Sequence, residues 1–168
     1  MNFLEKDLED IVFNTDTDLL QKRGLDIHGK RYRQLRIGNY GIADIVTVKK
    51  VSQPVFRNGE LLFMDRTLKI EVYELKQNEI SINTFMQAIR YCAGINDYIS
   101  RFRNKIFEID FSICLIGRSL TGGDFCYTPD FLHNLRMFTY DYDFDGIVFN
   151  QEDGYYLDNN GFKISTNG

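Results

Sequence analysis

Asp44, Glu74 and Lys76 are the residues of this chain best suited to chemistry. Asp44 lies in Gly41-Ile42-Ala43-Asp44-Ile45-Val46, and Glu74-Leu75-Lys76 closes the apolar run from Leu68 to Lys76. Side chains alternate along a strand, so Glu74 and Lys76 point one way and Leu75 the other. A neighbouring strand bearing Asp44 would bring two carboxylates and an ammonium into one small volume. Buried charges must be paired or must ligate a metal. Hard oxygen ligands of this kind suit Mg²⁺ or Mn²⁺, which take one or two carboxylates and keep places for water and phosphate. Such a cation would polarise a phosphoryl oxygen, and Lys76 would orient water or stabilise developing charge. The plain alternative is a Glu–Lys pair on a wet sheet face.

The elements that must position these residues can be read from periodicity. Residues Phe3 to Phe13 pattern as a helix with Leu4, Leu8, Ile11 and Val12 on one face. Its acids Glu5 and Glu9 flank that face. With Leu8 as the centre, Glu5 falls about 60° away and Glu9 about 100° away, which favours Glu5 as the inward-reaching acid. Strands are expected at Arg31–Ile37, Ile42–Val51 and Leu68–Lys76, with Asn58-Gly59 as a type I′ hairpin turn inside Val55–Phe63. Ser81 to Arg103 is the longest helical pattern, capped by Ser81 or Asn83, and carries Gln87 and Tyr91 one turn apart. Phe107–Ile116 reads as a strand, and Thr139–Phe149 and Tyr155–Ser165 as hairpin arms, the last turning at Asn159-Asn160-Gly161. The order predicts an α/β domain with a central mixed sheet flanked by helices, and a single domain over 1–168.

Composition sets the outer limits. The chain has 168 residues, 43% of them hydrophobic, enough for one sizeable core. No apolar stretch is long enough for a membrane helix. The start, Met1-Asn2-Phe3-Leu4-Glu5-Lys6-Asp7, has acids where a signal peptide has a basic and then apolar run. Cys92, Cys114 and Cys126 are widely spaced and read as reduced interior thiols, so a cytoplasmic location is expected. The net charge of −4 is unevenly spread. Lys22, Arg23, Lys30, Arg31, Arg33 and Arg36 face only Asp26, whereas Asp141, Asp143, Asp145, Glu152, Asp153 and Asp158 have no Lys or Arg among them. Asp141–Asp145 lacks the downstream glutamate of a calcium loop and reads as a solvated strand face. His28 and His133 are too isolated for a catalytic triad or a zinc site, and Gly122-Gly123 is a turn without a following phosphate-loop lysine.

Taken together, residues 3–99 resemble the PD-(D/E)XK (restriction-endonuclease-like) nucleases. The resemblance rests on the acidic first helix Leu4–Asp10, Gly41–Val46, Val72-Tyr73-Glu74-Leu75-Lys76, and Gln87-Ala88-Ile89-Arg90-Tyr91. The last piece is similar to the Gln-x-x-x-Tyr motif of the RecB-type subgroup. The resemblance implies metal ligation by Asp44 and Glu74 and a catalytic Lys76. It also implies a first-helix glutamate at Glu5 or Glu9, and Gln87 and Tyr91 beside the site on DNA. Ala43 stands where the family has proline, a position that serves backbone geometry. The implied fold is a restriction-endonuclease-like core with extra C-terminal β-hairpins. The implied function is a Mg²⁺- or Mn²⁺-dependent nuclease acting on phosphodiester bonds, with DNA the expected substrate. Arg31, Arg33 and Arg36 are expected to hold the phosphate backbone, and targeting is expected from a homodimer or a partner protein. The competing expectation is the same fold with an inactive site, binding nucleic acid or protein.

Overall fold

Two 16-residue strands, β2 (Ile42–Arg57) and β3 (Glu60–Leu75), form the backbone of the molecule. The computed structural model describes residues 4–102, 108–121, 123–125, 134–152, 155–157 and 163–165. Asn58 and Gly59 join the two strands at φ 53° and 84°. Both angles are positive, as the Asn-Gly type I′ turn requires. The expected strands at Ile42–Val51 and Leu68–Lys76 are thus the inner parts of one continuous hairpin, with a register shift between Val55 and Phe56.

Around this pair the sheet holds six strands in the order β1-β2-β3-β5-β7-β8. β1 (Lys30–Arg36) lies antiparallel to β2. β5 (Glu108–Gly117) runs parallel to β3, and β7 (Leu135–Asp143) parallel to β5. β8 (Gly146–Gln151) returns antiparallel to β7. The Thr139–Phe149 hairpin therefore belongs to the main sheet. Two small pairs lie apart: β4 (Glu79–Ile80) with β6 (Ser119–Leu120), and β9 (Tyr155–Leu157) with β10 (Lys163–Ser165). The turn expected at Asn159-Asn160-Gly161 lies outside the described residues.

Helices cover both faces. α1 (Glu5–Asn14) and α2 (Thr17–Lys22) share a core with Ile45, Tyr73, Leu75, Cys114 and Phe138 through Leu8, Val12 and Leu20. α3 (Ile82–Phe102) packs Phe85, Ala88, Tyr91 and Ile95 onto Val46, Ile70, Val72 and Leu115 on the other face. Each helix start has a physical stop. The Leu4 amide is held by the Asp7 carboxylate at 2.8 Å, and the Ile82 amide by Asp124 at 2.8 Å, a distant cap rather than Ser81 or Asn83. α2 has no counterpart in the sequence expectations; Asp16 caps it by accepting from the Asp18 amide at 2.9 Å. The architecture is α/β: a mixed six-stranded sheet flanked by helices.

Candidate functional site

Asp44 and Glu74 meet near the start of β2 and the end of β3. Ile45 and Tyr73 are the last pair of the β2–β3 ladder, and Asp44 and Glu74 are the next residue of each strand beyond it. Ile70 and Val72 belong to the core under α3, and Tyr73 and Leu75 to the core under α1. By alternation Glu74 falls on the α3 side. An Asp44 carboxylate oxygen accepts from the Leu75 amide at 2.9 Å, which locks it onto the partner strand. Lys76 reaches back with Nζ 2.9 Å from Glu74 Oε1. The Lys76 amide donates to Ile116 at 2.8 Å, and the Tyr140 hydroxyl donates to the Gln77 carbonyl at 2.5 Å. The turn after Glu74 is therefore anchored from both β5 and β7.

The electrostatics of this cluster are unbalanced. Glu74 is 1% exposed, and its Oε2 is buried with no hydrogen-bond partner in the structure. Burial, with Asp44 and Glu5 nearby, raises the Glu74 carboxyl to about 7 against the pull of Lys76. Burial also raises Asp44 to about 6, opposed by the Leu75 amide and Lys76 and reinforced by Glu5 and Glu9. For Lys76 burial acts to lower its pKa, but Glu74, Glu5 and Asp44 outweigh it and the net direction is up. One ammonium thus serves the buried Glu74 and the partly buried Asp44, with two more acids within electrostatic reach. Among the described residues no group of three or more His, Cys, Asp or Glu is gathered as a metal cage. The donors present are two carboxyls, one oxygen of which is free to ligate, and that set fits a hard divalent cation whose other positions are filled by water or phosphate.

The first-helix acids divide differently from the helical-angle expectation. Glu9 is buried and Glu5 exposed. Glu9 is drawn inward by β1: its Oε1 accepts from Arg33 Nε, and its Oε2 from Gln34 Nε2 at 2.8 Å. Gln34 falls in the gap of the β1–β2 ladder between the pairs Arg33–Ile45 and Leu35–Ala43, as Asp44 does on β2, and has φ 48°. Non-glycine residues held there cost of order 1–3 kcal/mol and gather at functional sites. Sequence reasoning missed Gln34, since nothing in its type announces a left-handed backbone.

The three arginines separate as well. Arg31 donates to the Val12, Phe13 and Thr15 carbonyls at 3.1, 3.0 and 2.6 Å, and to the Thr17 hydroxyl at 2.8 Å. It closes the C-terminus of α1. Arg33 pairs with Glu9 and with Asp10, the latter at 2.5 Å. Arg36 is exposed at the end of β1. Two of the three residues expected on phosphate are therefore engaged in docking α1.

On α3, Gln87 Nε2 donates to the Tyr91 hydroxyl at 2.7 Å, so the pair acts as one unit. Tyr91 is buried and backs onto Gly41, three residues before Asp44. Gly41 has φ 119°, and a Cβ there would stand 2.9 Å from the Tyr91 ring and 3.5 Å from Arg90 Nη2. Only glycine meets both conditions. The contact is how α3 and the Asp44 strand are set against each other, and the glycine just before the aspartate strand was its readable signal. His28 pairs with Asp26 at 2.9 Å, and Asp143 with Arg23 at 3.0 Å. Cys114 is buried and Cys92 partly so, while Cys126 and His133 lie outside the described residues.

No helix among the described residues is long and apolar enough to cross a membrane. Comparison of the chain with protein-family models, with curated proteins and with solved structures returns no match.

Proposed function

We propose that the chain is a Mg²⁺- or Mn²⁺-dependent nuclease that hydrolyses phosphodiester bonds in DNA, built on a restriction-endonuclease-like core. The observation that carries this reading is Glu74: buried, tied to Lys76 through one oxygen, unpartnered at the other, and next to Asp44. A buried carboxylate without a partner is costly unless something binds it. The element order supports the reading too. α1, the β1–β2–β3 meander with Asp44 and Glu74, and α3 with Gln87 and Tyr91 follow one another as the nuclease resemblance implies.

In this reading Asp44 and Glu74 hold the cation. When bound, it supplies Lewis-acid polarisation of the scissile phosphate and acidifies the attacking water. Lys76 keeps its proton, orients the nucleophile beside Glu74 and stabilises charge developing on the phosphoryl oxygens. Glu9 holds β1 against α1 through Arg33 and Gln34, and Glu5, exposed at the same edge, is the acid free to join the site. The Gln87–Tyr91 unit lines the approach from α3.

The test is cleavage of DNA by purified protein with Mn²⁺, repeated with Glu74→Ala and Lys76→Ala. Cutting that survives in both variants overturns the mechanism. One observation favours the inactive-module alternative: Arg31 and Arg33 are spent on α1, in a chain of net charge −4. A calorimetric Mn²⁺ titration separates the two readings, because an inactive site shows no binding that depends on Asp44.

A further inference from the structure

The distal half of the β2–β3 hairpin is a free-standing arm. β1 covers β2 only as far as Val48, and β5 covers β3 only from Thr67 onward. Among the described residues, 49–66 therefore pair with each other and with nothing else in the sheet. Towards the tip the arm is apolar and uncovered. Phe56, Leu61, Leu62, Phe63 and Met64 are between 41% and 60% exposed. Val55 pairs with Phe63 and Pro54 with Met64, so Val55 and Phe63 share one face and Pro54 and Met64 the other, and Phe56 pairs with Leu61 beyond the register shift. The tip is apolar on both sides. A surface of this size without polar cover marks an interaction site.

The same molecule carries the complementary shape. A cavity of about 730 Å³ lies between the sheet and the C-terminal half of α3. Val46, Val48 and Leu68 line its sheet side and Ile95, Tyr98 and Ile99 its helix side. β1 and the turn after it close a third side from Tyr32 to Tyr40, and Arg36, Asp97 and Arg101 add charge. The sheet and helix sides of this cavity are apolar and form a wedge that suits an inserted element with two apolar faces. A chain cannot fill its own wedge. Tip and wedge sit on the same stiff hairpin, seven or eight residues apart, about 25 Å along the strands. Two arms laid antiparallel about a two-fold axis near Ser52 and Arg66 would bring each tip to the other copy's wedge.

We propose that the chain forms a two-fold dimer by exchanging arms, each β2–β3 tip seating between α3 and the sheet of the second copy. The area is adequate. Five half-exposed side chains of about 100 Å² each, the facing wall and both copies together bury about 2,000 Å², within the range of stable interfaces. The contact is isologous, so it closes as a dimer and does not propagate. It does not depend on the nuclease reading, since none of these residues belongs to the Asp44–Glu74–Lys76 cluster.

Sedimentation equilibrium on the full chain tests it, with a mass of twice 19.7 kDa expected. Leu62→Asp with Phe63→Asp should give the monomer with unchanged circular dichroism, because both residues are already largely solvated. Mixing single variants Leu62→Cys and Tyr98→Cys under mild oxidation should yield a crosslinked pair, which neither forms alone. The two positions in one chain are too far apart for a disulfide, which needs Cα atoms within about 7 Å. Association should persist at high salt, because apolar burial carries it. A wild-type chain that sediments as a monomer overturns the proposal, as does a dimer that the tip substitutions leave intact or a mixture that gives no crosslink. A monomeric chain whose tip variants lose salt-sensitive DNA binding would assign the arm to nucleic acid instead.

Discussion

Glu71 and Glu74 stand three residues apart on β3, both largely out of water, and they are solved in opposite ways. Glu71 is complete. Arg136 donates to it through Nε at 2.9 Å and Nη2 at 2.8 Å, and the Tyr73 hydroxyl donates at 2.5 Å. Arg136 is itself held by the Asp26 carbonyl at 3.0 Å. Glu74 has one donor, Lys76, and an orphaned oxygen. The forked guanidinium satisfies a carboxylate in a way a single ammonium cannot. The difference separates a buried acid that holds the sheet together from one that leaves room for a ligand.

The sharpest way to break this comparison is activity. Glu74→Ala and Lys76→Ala are expected to lower Mn²⁺-dependent plasmid nicking by on the order of 10³-fold or more. Glu71→Ala, measured per folded molecule, should change it only a few-fold. Equal losses at Glu71 and Glu74 would erase the distinction.

Stability should show the reverse ranking. Arg136→Met leaves Glu71 buried without its main partner and should cost about 2–3 kcal/mol, a fall in melting temperature of roughly 5–10 °C. Glu74→Gln should stabilise the metal-free protein at about pH 8, by roughly 1–2 kcal/mol, since it removes a buried charge that lacks a second donor. A Glu74→Gln protein less stable than wild type at that pH would mean that the orphaned oxygen is satisfied in solution.

The pH dependence follows from the same imbalance. Asp44 at about 6 and Glu74 at about 7 lie above their ordinary values of 3.8 and 4.5. Their contribution to stability is complete below those ordinary values and is lost as pH rises through the folded values. Stability of the metal-free protein should therefore fall between about pH 4 and 7, and Glu74→Gln should flatten the upper part of that slope. Mn²⁺ favours the ionised acids, so its thermal stabilisation should be larger at about pH 8 than at about pH 5 and absent in Asp44→Asn. The smallest effect belongs to Tyr91→Phe, which deprives Gln87 of its acceptor. It should raise KM for DNA a few-fold with kcat little changed, at a stability cost of about 1 kcal/mol or less.

Much of the frame was legible because its signals are local. Asn58-Gly59 marks the hairpin, the period of Ile82 to Ile99 marks α3, and Glu74-x-Lys76 marks a pair that does meet, although Lys76 reaches back from just past the end of β3. The long reach of β2 and β3 was not legible. Ser52, Gln53 and Pro54 look like a strand end, but the paired partner strand from Met64 to Arg66 carries them on. Helical angle from Leu8 favours Glu5 over Glu9, but the pull of Arg33 and Gln34 on Glu9 comes from another element. Arg31 and Arg33 read as a basic stripe for the same reason: their partners, the last carbonyls of α1 and the acids Glu9 and Asp10, are distant in sequence.

By itself, then, the sequence determined which residues carry charge, where the Asn58-Gly59 turn falls and which helix faces are apolar. These depend on spacing of a few residues and on backbone preferences that neighbours do not alter. Tertiary structure decided the rest: that Lys76 lies just past the end of β3, that Asp44 lies beside Glu74 beyond the end of the ladder, that one oxygen of Glu74 goes without a donor while Glu71 is fully paired, and that two arginines serve α1. Those outcomes turn on contacts between residues tens of positions apart. Burial there changes the cost of a charge, and only the packed neighbours determine whether that cost is met.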